Sequence, residues 1–266
     1  MRDALCKICQ NSSDCYGETK LLNKYQVSYF KCRACGFIQT EEPYWLDEAY
    51  TKAINHSDVG ILSRNKHLAD TSRALINLYF NRQGRFLDYG GGYGIFVRMM
   101  RDFGFDFYRY DRYCENLFAN GHDFSEAGPG QFELLTSFEL FEHLAEPRDD
   151  VSRMKCYADN MLFTTNLLPA ASPKLDEWWY FGKEHGQHIS FYTRKSLEIL
   201  AESLSLKLVS NNSTMHLFTS RSIPAALFSR ITQKPMLTLL INKLYKSTSL
   251  AGEDYNKAVV RMFAGE

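Results

Sequence analysis

Three groups of residues could do chemistry by their types and spacing. "CKIC" and "CRACG" form two C-x-x-C knuckles separated by 22 residues, so Cys6, Cys9, Cys32 and Cys35 can bring four thiolates to one tetrahedral point. A closed four-thiolate set suits structural zinc; a redox pair is the other use of such spacing. The separation is slightly longer than usual, which a longer hairpin can absorb, and Cys15 belongs to neither knuckle. The second group is "LDYGGGYG", Leu87 to Gly94, which strips the backbone of side chains straight after an apolar run. A phosphate loop would need Lys followed by Ser or Thr, and the third glycine of a dinucleotide fingerprint would fall at Ile95. What stands here is Asp88-x-Gly90-x-Gly92-x-Gly94. Asp111 follows 23 residues after Asp88, placed to accept hydrogen bonds from both hydroxyls of a ribose. The third group is divided between "FELFEHL" and "WWYFGKEHGQHISFYT". Glu139, Glu142 and His143 lie within one turn and could hold a divalent ion. Histidine as a residue type titrates in the range a general base needs, which makes His185 and His188 the candidate bases, and Trp178, Trp179 and Tyr180 could stack on a sugar or a base.

The elements that must position these groups alternate along the chain. "KYQVSYFKC" reads as a strand leading into the second knuckle, and residues 62–81 as a helix with a rough apolar stripe. Strands at "RFLDY", "DFYRYD", "FELLTSFE" and "NMLFTTNLL" are interleaved with helices at "GIFVRMMRDFG", "DDVSRMKCYA" and "RKSLEILAESLS". "LKLVSNN" and "MHLFTSR", joined only by "NNST", suggest an antiparallel hairpin at one edge. After Pro224 two short helices are expected, broken at Pro235. The alternation implies a parallel α/β sheet wound on both faces.

Lys plus Arg equals Asp plus Glu, 31 each, so no nucleic-acid partner is expected. No stretch approaches a membrane span, and "MRDALCKICQ" lacks the apolar region of a signal peptide. A cytoplasmic protein with reduced cysteines is the expectation.

The Asp88 glycine motif, the acid at 111 and "FELFEHLAEP" after the fourth strand together resemble class I S-adenosylmethionine-dependent methyltransferases, over roughly residues 62–220. The resemblance implies a seven-stranded, mostly parallel sheet whose last strand is antiparallel. It implies that Gly90, Gly92 and Gly94 approach the methionine part of the cofactor, that Asp88 orients the loop and its amine contacts, and that Asp111 holds the ribose. Phe124 and Ser125 would flank the adenine, and Phe138 and Glu139 would line the methionine side. A zinc-ribbon-like module at 1–45, ahead of a methyltransferase domain at 46–221 and a helical extension at 222–266, is similar to the sugar methyltransferases acting on nucleotide-linked deoxysugars. His188 in "GQHISFYT" matches that family's histidine, while Gln187 stands where the family has Glu. The family's second half is also absent here, so a sugar hydroxyl rather than C-methylation of a ketosugar is the expected target. The glutamate–histidine run also resembles the metal cluster of some O-methyltransferases on this fold, with His188 as a further ligand; metal-free relatives carry "EHL" too. Methyl transfer to another small molecule or to RNA, and a non-catalytic binding module, are the alternatives.

Overall fold

The computed structural model describes residues 4–51 and 58–264. The chain begins with four antiparallel strands, β1 (Ala4–Leu5), β2 (Ser12–Leu21), β3 (Tyr25–Cys32) and β4 (Ile38–Thr40). The long β2–β3 hairpin takes up the extra residues between the knuckles. It turns at Leu22 and Asn23, both at positive φ, as tight hairpin turns require. A short helix α1 (Leu46–Ala49) leads to α2 (Ile61–Tyr79).

From there β5 (Arg85–Tyr89), α3 (Ile95–Asp102), β6 (Asp106–Tyr110), β7 (Leu134–Ser137), α4 (Pro147–Lys155) and β8 (Met161–Thr164) follow the expected alternation. They are followed by a two-residue strand β9 (Ser190–Phe191), then α5 (Arg194–Ser203), β10 (Lys207–Ser210) and β11 (Met215–Thr219). The main sheet runs β10-β11-β8-β7-β5-β6. It is parallel except for β11, which is antiparallel to both neighbours, as the hairpin reading required.

Side chains alternate between two cores along every central strand. Phe86, Leu134, Leu162 and Leu217 face one core, with α2 and α3. Leu87, Leu135, Phe163 and Phe218 face the other, with α4 and α5. The knuckles join this second core through Cys6, Ile8, Cys32, Cys35 and Phe37. They are tied down by hydrogen bonds from Lys7 Nζ to the Ala145 carbonyl at 2.8 Å and from Thr193 Oγ1 to the Cys35 carbonyl at 2.6 Å. β9 pairs with β4, so a strand from between β8 and α5 completes the first sheet.

The expected seven-stranded sheet has six strands among the described residues. At the place of the missing strand a single parallel bridge joins Arg109 to Asp123. The physical reason is local. Asp123 caps a tight turn over Phe124–Glu126 with a reciprocal side-chain–backbone box, which bends the chain out of the sheet at once. Gly128 and Gly130, both at positive φ, keep it irregular beyond.

Past Pro224 the two expected helices are present, α6 (Ala225–Gln233) and α7 (Pro235–Leu244), and a third, α8 (Ala251–Ala264), follows them. Asp254 of α8 makes a two-oxygen pair with the buried Arg101 of α3, 2.9 Å and 2.7 Å, and also meets Arg98 at 2.8 Å.

Candidate functional site

The carboxyl ends of β5, β6 and β7 open into a cleft of ≈ 400 Å³. Its floor is the glycine loop. The amides of Gly90 and Gly91 donate to the Tyr110 carbonyl, 2.8 and 3.1 Å, and the amide of Gly92 donates to Asp111 Oδ2 at 2.9 Å. Gly92, at φ 54, has open space where a Cβ would stand, and it lines the cleft. Gly94 differs: it begins α3 at φ 87, and a Cβ there would lie 2.9 Å from Asn116 Oδ1 and 3.1 Å from the Ala119 amide. It shapes the turn and is not among the cleft-lining residues.

Asp88 is 3% exposed and accepts a hydrogen bond from Thr136 Oγ1 at 2.7 Å. Burial pushes its carboxyl up to about 7, against the Thr136 hydrogen bond. Asp111 is held by three backbone donors. Besides Gly92, the amides of Tyr113 and Cys114 both donate to Oδ1 at 2.8 Å. Phe138 and Glu139 line the cleft. Glu139 adopts φ 53, and its carboxylate and amide both engage Thr164 Oγ1, 2.7 and 2.8 Å. Phe124 and Ser125 do not line the cleft. Phe124 packs instead against Tyr157, Tyr110 and Phe132, because the capped turn at Asp123 carries it onto the other core.

Opposite the glycine loop stands a polar wall of Glu142, His143, His185 and His188, all lining the same cleft. The rings of His143 and His188 are 4.9 Å apart, those of His185 and His188 4.7 Å. His188 Nδ1 lies 2.6 Å from the Tyr180 carbonyl. A carbonyl only accepts, so Nδ1 carries the hydrogen and Nε2 keeps its lone pair. His185 Nδ1 instead accepts from the Gln187 amide, 3.1 Å. Burial drives the His188 imidazole well below its ordinary range, with His143 and His185 adding to it, and takes His143 down to about 4. Glu142 is fully buried, and neither of its oxygens has a hydrogen-bond partner of good geometry. Burial, reinforced by Glu139, pushes it up to about 8, although Tyr180 and Thr165 pull the other way.

Trp179 is 77% exposed at the cleft mouth, while Tyr180 is buried and Trp178 packs against Tyr180 and, edge-on, Phe181 outside the lining. Tyr50 is the site residue that the sequence reading passed over. Its hydroxyl lies 2.9 Å from His143 Nδ1, and its ring stacks on Tyr113 at 5.2 Å. The aromatic run "EEPYWLDEAY" was the available signal, but nothing in its spacing singled out position 50.

At the far end of the N-terminal sheet the four expected cysteines converge. Sγ separations are 3.6 Å for Cys6–Cys35, 3.4 Å for Cys9–Cys32 and 3.6 Å for Cys9–Cys35. A tetrahedron with zinc–sulfur bonds of about 2.3 Å needs sulfurs about 3.8 Å apart. The amides of Ile8, Ala34 and Cys35 point at these sulfurs, at 3.4 Å each. The residues fit a zinc ion. Cys15 is exposed and apart from them.

Residues 63–211 match the family described as "Methyltransferase domain". The chain belongs to this methyltransferase family. No curated protein matches it. Among solved structures, TnmH is 14% identical with a TM-score of 0.46, covering 67% of this chain and 62% of its own. CalO1, a methyltransferase in calicheamicin biosynthesis in an S-adenosylhomocysteine-bound form, is 16% identical with a TM-score of 0.40, covering 65% and 60%. Magnesium protoporphyrin IX methyltransferase from Synechocystis PCC 6803 is 11% identical with a TM-score of 0.42, covering 65% and 90%. The chain thus spans about three fifths of the length of the first two. No helix among the described residues of this methyltransferase is long and apolar enough to cross a membrane.

Proposed function

We propose that the chain catalyses S-adenosylmethionine-dependent methyl transfer to a hydroxyl of a small molecule, a sugar or nucleotide-sugar. The observation that carries this reading is the continuity of one cleft, from Asp88, Gly90, Gly92 and Asp111 to the histidine wall with Trp179 at the mouth. Asp111 would take the ribose hydroxyls with the lone pairs that its backbone donors leave free. Gly92 leaves room for close approach, and Asp88 holds the loop from below. The bound cofactor supplies an activated methyl group on a sulfonium. His188, with Nδ1 committed to the Tyr180 carbonyl, keeps its Nε2 lone pair free on the acceptor side of the cleft. The exposed indole face of Trp179 suits the apolar face of a sugar ring. The cysteine cluster holds zinc in a structural role.

The test has two parts. Calorimetry with S-adenosylhomocysteine should give one site per chain. A screen of nucleotide-sugars with radiolabelled S-adenosylmethionine should then show label transferred to oxygen. Failure to bind S-adenosylhomocysteine would remove the reading; transfer to nitrogen or carbon acceptors alone would overturn the hydroxyl assignment.

A further inference from the structure

We propose that Glu142, His143 and His188 form a binding site for a divalent transition-metal cation, with the acceptor hydroxyl as a further ligand; this rests on the methyl-transfer reading above. One donor atom from each of these residues lies within 4.8 Å of the others. The independent observation is Glu142. Its carboxylate is fully buried, faces the cleft, and has no hydrogen-bond partner of good geometry at either oxygen. A carboxylate taken from water without a partner is costly, and a cation is the partner that repairs it.

The rings are oriented for the same purpose. His188 commits Nδ1 to the Tyr180 carbonyl, and His143 meets the Tyr50 hydroxyl and the Gln187 carbonyl through Nδ1. This is the outer hydrogen bonding that fixes a metal-binding imidazole and leaves Nε2 for the ion. Two imidazoles and one carboxylate suit a borderline cation such as zinc, cobalt or ferrous iron rather than calcium.

The placement gives the ion a task. Bound to it, the acceptor hydroxyl loses its proton to water more readily. The oxygen's electron pair then forms the new C–O bond, while the pair of the broken S–C bond stays on sulfur. In this arrangement His188 is a ligand, and its lone pair serves the metal rather than the proton.

The test is titration of the full-length protein carrying one zinc per chain with Co²⁺, followed by visible absorption and calorimetry. One further equivalent should bind per chain, without the sulfur-to-metal charge-transfer band of a thiolate site. Glu142→Gln and His188→Ala should lose it, and Tyr50→Phe, which removes an outer partner of His143, should weaken it by about tenfold or more. His67→Ala, on the exposed face of α2, should bind like wild type. No further equivalent in the wild type, or equal affinity in Glu142→Gln, would overturn the site. S-adenosylhomocysteine calorimetry on the same samples separates the two proposals. Binding of that ligand without cobalt defeats the metal alone, and cobalt without that ligand defeats the methyl-transfer reading.

Discussion

Replacing Asp111 with Asn changes almost no volume and tests the cofactor cleft directly. The carboxylate receives three backbone donors, from Gly92 at 2.9 Å and from Tyr113 and Cys114 at 2.8 Å each. An amide has only one oxygen. If that oxygen keeps Tyr113 and Cys114, the new NH₂ faces the Gly92 amide, donor against donor. The loop then loses its tie to the end of β6, and the ribose loses a charged acceptor. A hydrogen bond to a charged group contributes about 1.5–3 kcal/mol. Losing one such bond to the ligand predicts a 10- to 100-fold weaker S-adenosylhomocysteine affinity, at about 1.4 kcal/mol per factor of ten. Calorimetry reads this, and far-UV circular dichroism checks that the fold survives. Equal affinity in Asp111→Asn and wild type, with the fold intact, would refute the placement of the ribose at Asp111.

Two glycines in the same loop should fail differently. Gly94→Ala forces a side chain into φ 87 against Asn116 and Ala119 and should cost about 1–3 kcal/mol of stability in urea unfolding. Gly92→Ala meets open space and should mainly weaken ligand affinity, so equal ligand affinity in that variant would argue against close approach there. Cys32→Ser should release zinc, measured by metal analysis, and lower the melting temperature, whereas Cys15→Ser should keep both. Asp254 is set at about 2: burial alone would raise it, but Arg101 and then Arg98 hold it down, below the ordinary 3.8. Because its folded value is depressed, its contribution is present above pH 4 and disappears as pH falls from 4 to 2. It amounts to about 2 kcal/mol, at about 1.4 kcal/mol for each tenfold change. Melts of wild type should converge on those of Asp254→Asn across that window, and parallel curves would contradict the pairing.

Much of this arrangement was legible in the sequence because it is local. The knuckles announce themselves within four residues each, and "LDYGGGYG" shows its conformational demand without tertiary help. The doubly wound sheet followed from short strand-like runs alternating with helical ones along the chain. The missing strand did not, because the capping of Asp123 by Glu126 competes with sheet pairing through one short side chain. β9 has only two residues and no periodicity to read, and its pairing with β4 depends on contacts far away in the chain. The donor set was half visible. Glu142 and His143 stood out by spacing, and His188, 45 positions beyond His143, joined them only through the resemblance; that Glu139 turns away to Thr164 shows only in the folded chain. Tyr50 reaches His143 from 93 positions earlier in the chain, a relation that no local pattern encodes.

The pairing of β4 with β9 also sets a timetable for synthesis. Ile38 meets Phe191, 153 residues later. At about 5–20 residues per second, the first sheet waits roughly 8 to 30 seconds on the ribosome for its last strand. During that interval the Ile38–Thr40 edge is unpaired and open to other chains. The four cysteines are all made before residue 36, so metal can close the knuckles first and fix the hairpin while the edge waits. Where zinc closes the knuckles, its supply during translation should bear on the yield of folded protein as well as on the stability of the finished molecule. Starving an expressing cell of zinc should fill the insoluble fraction, and chelating the purified protein should lower its melting temperature.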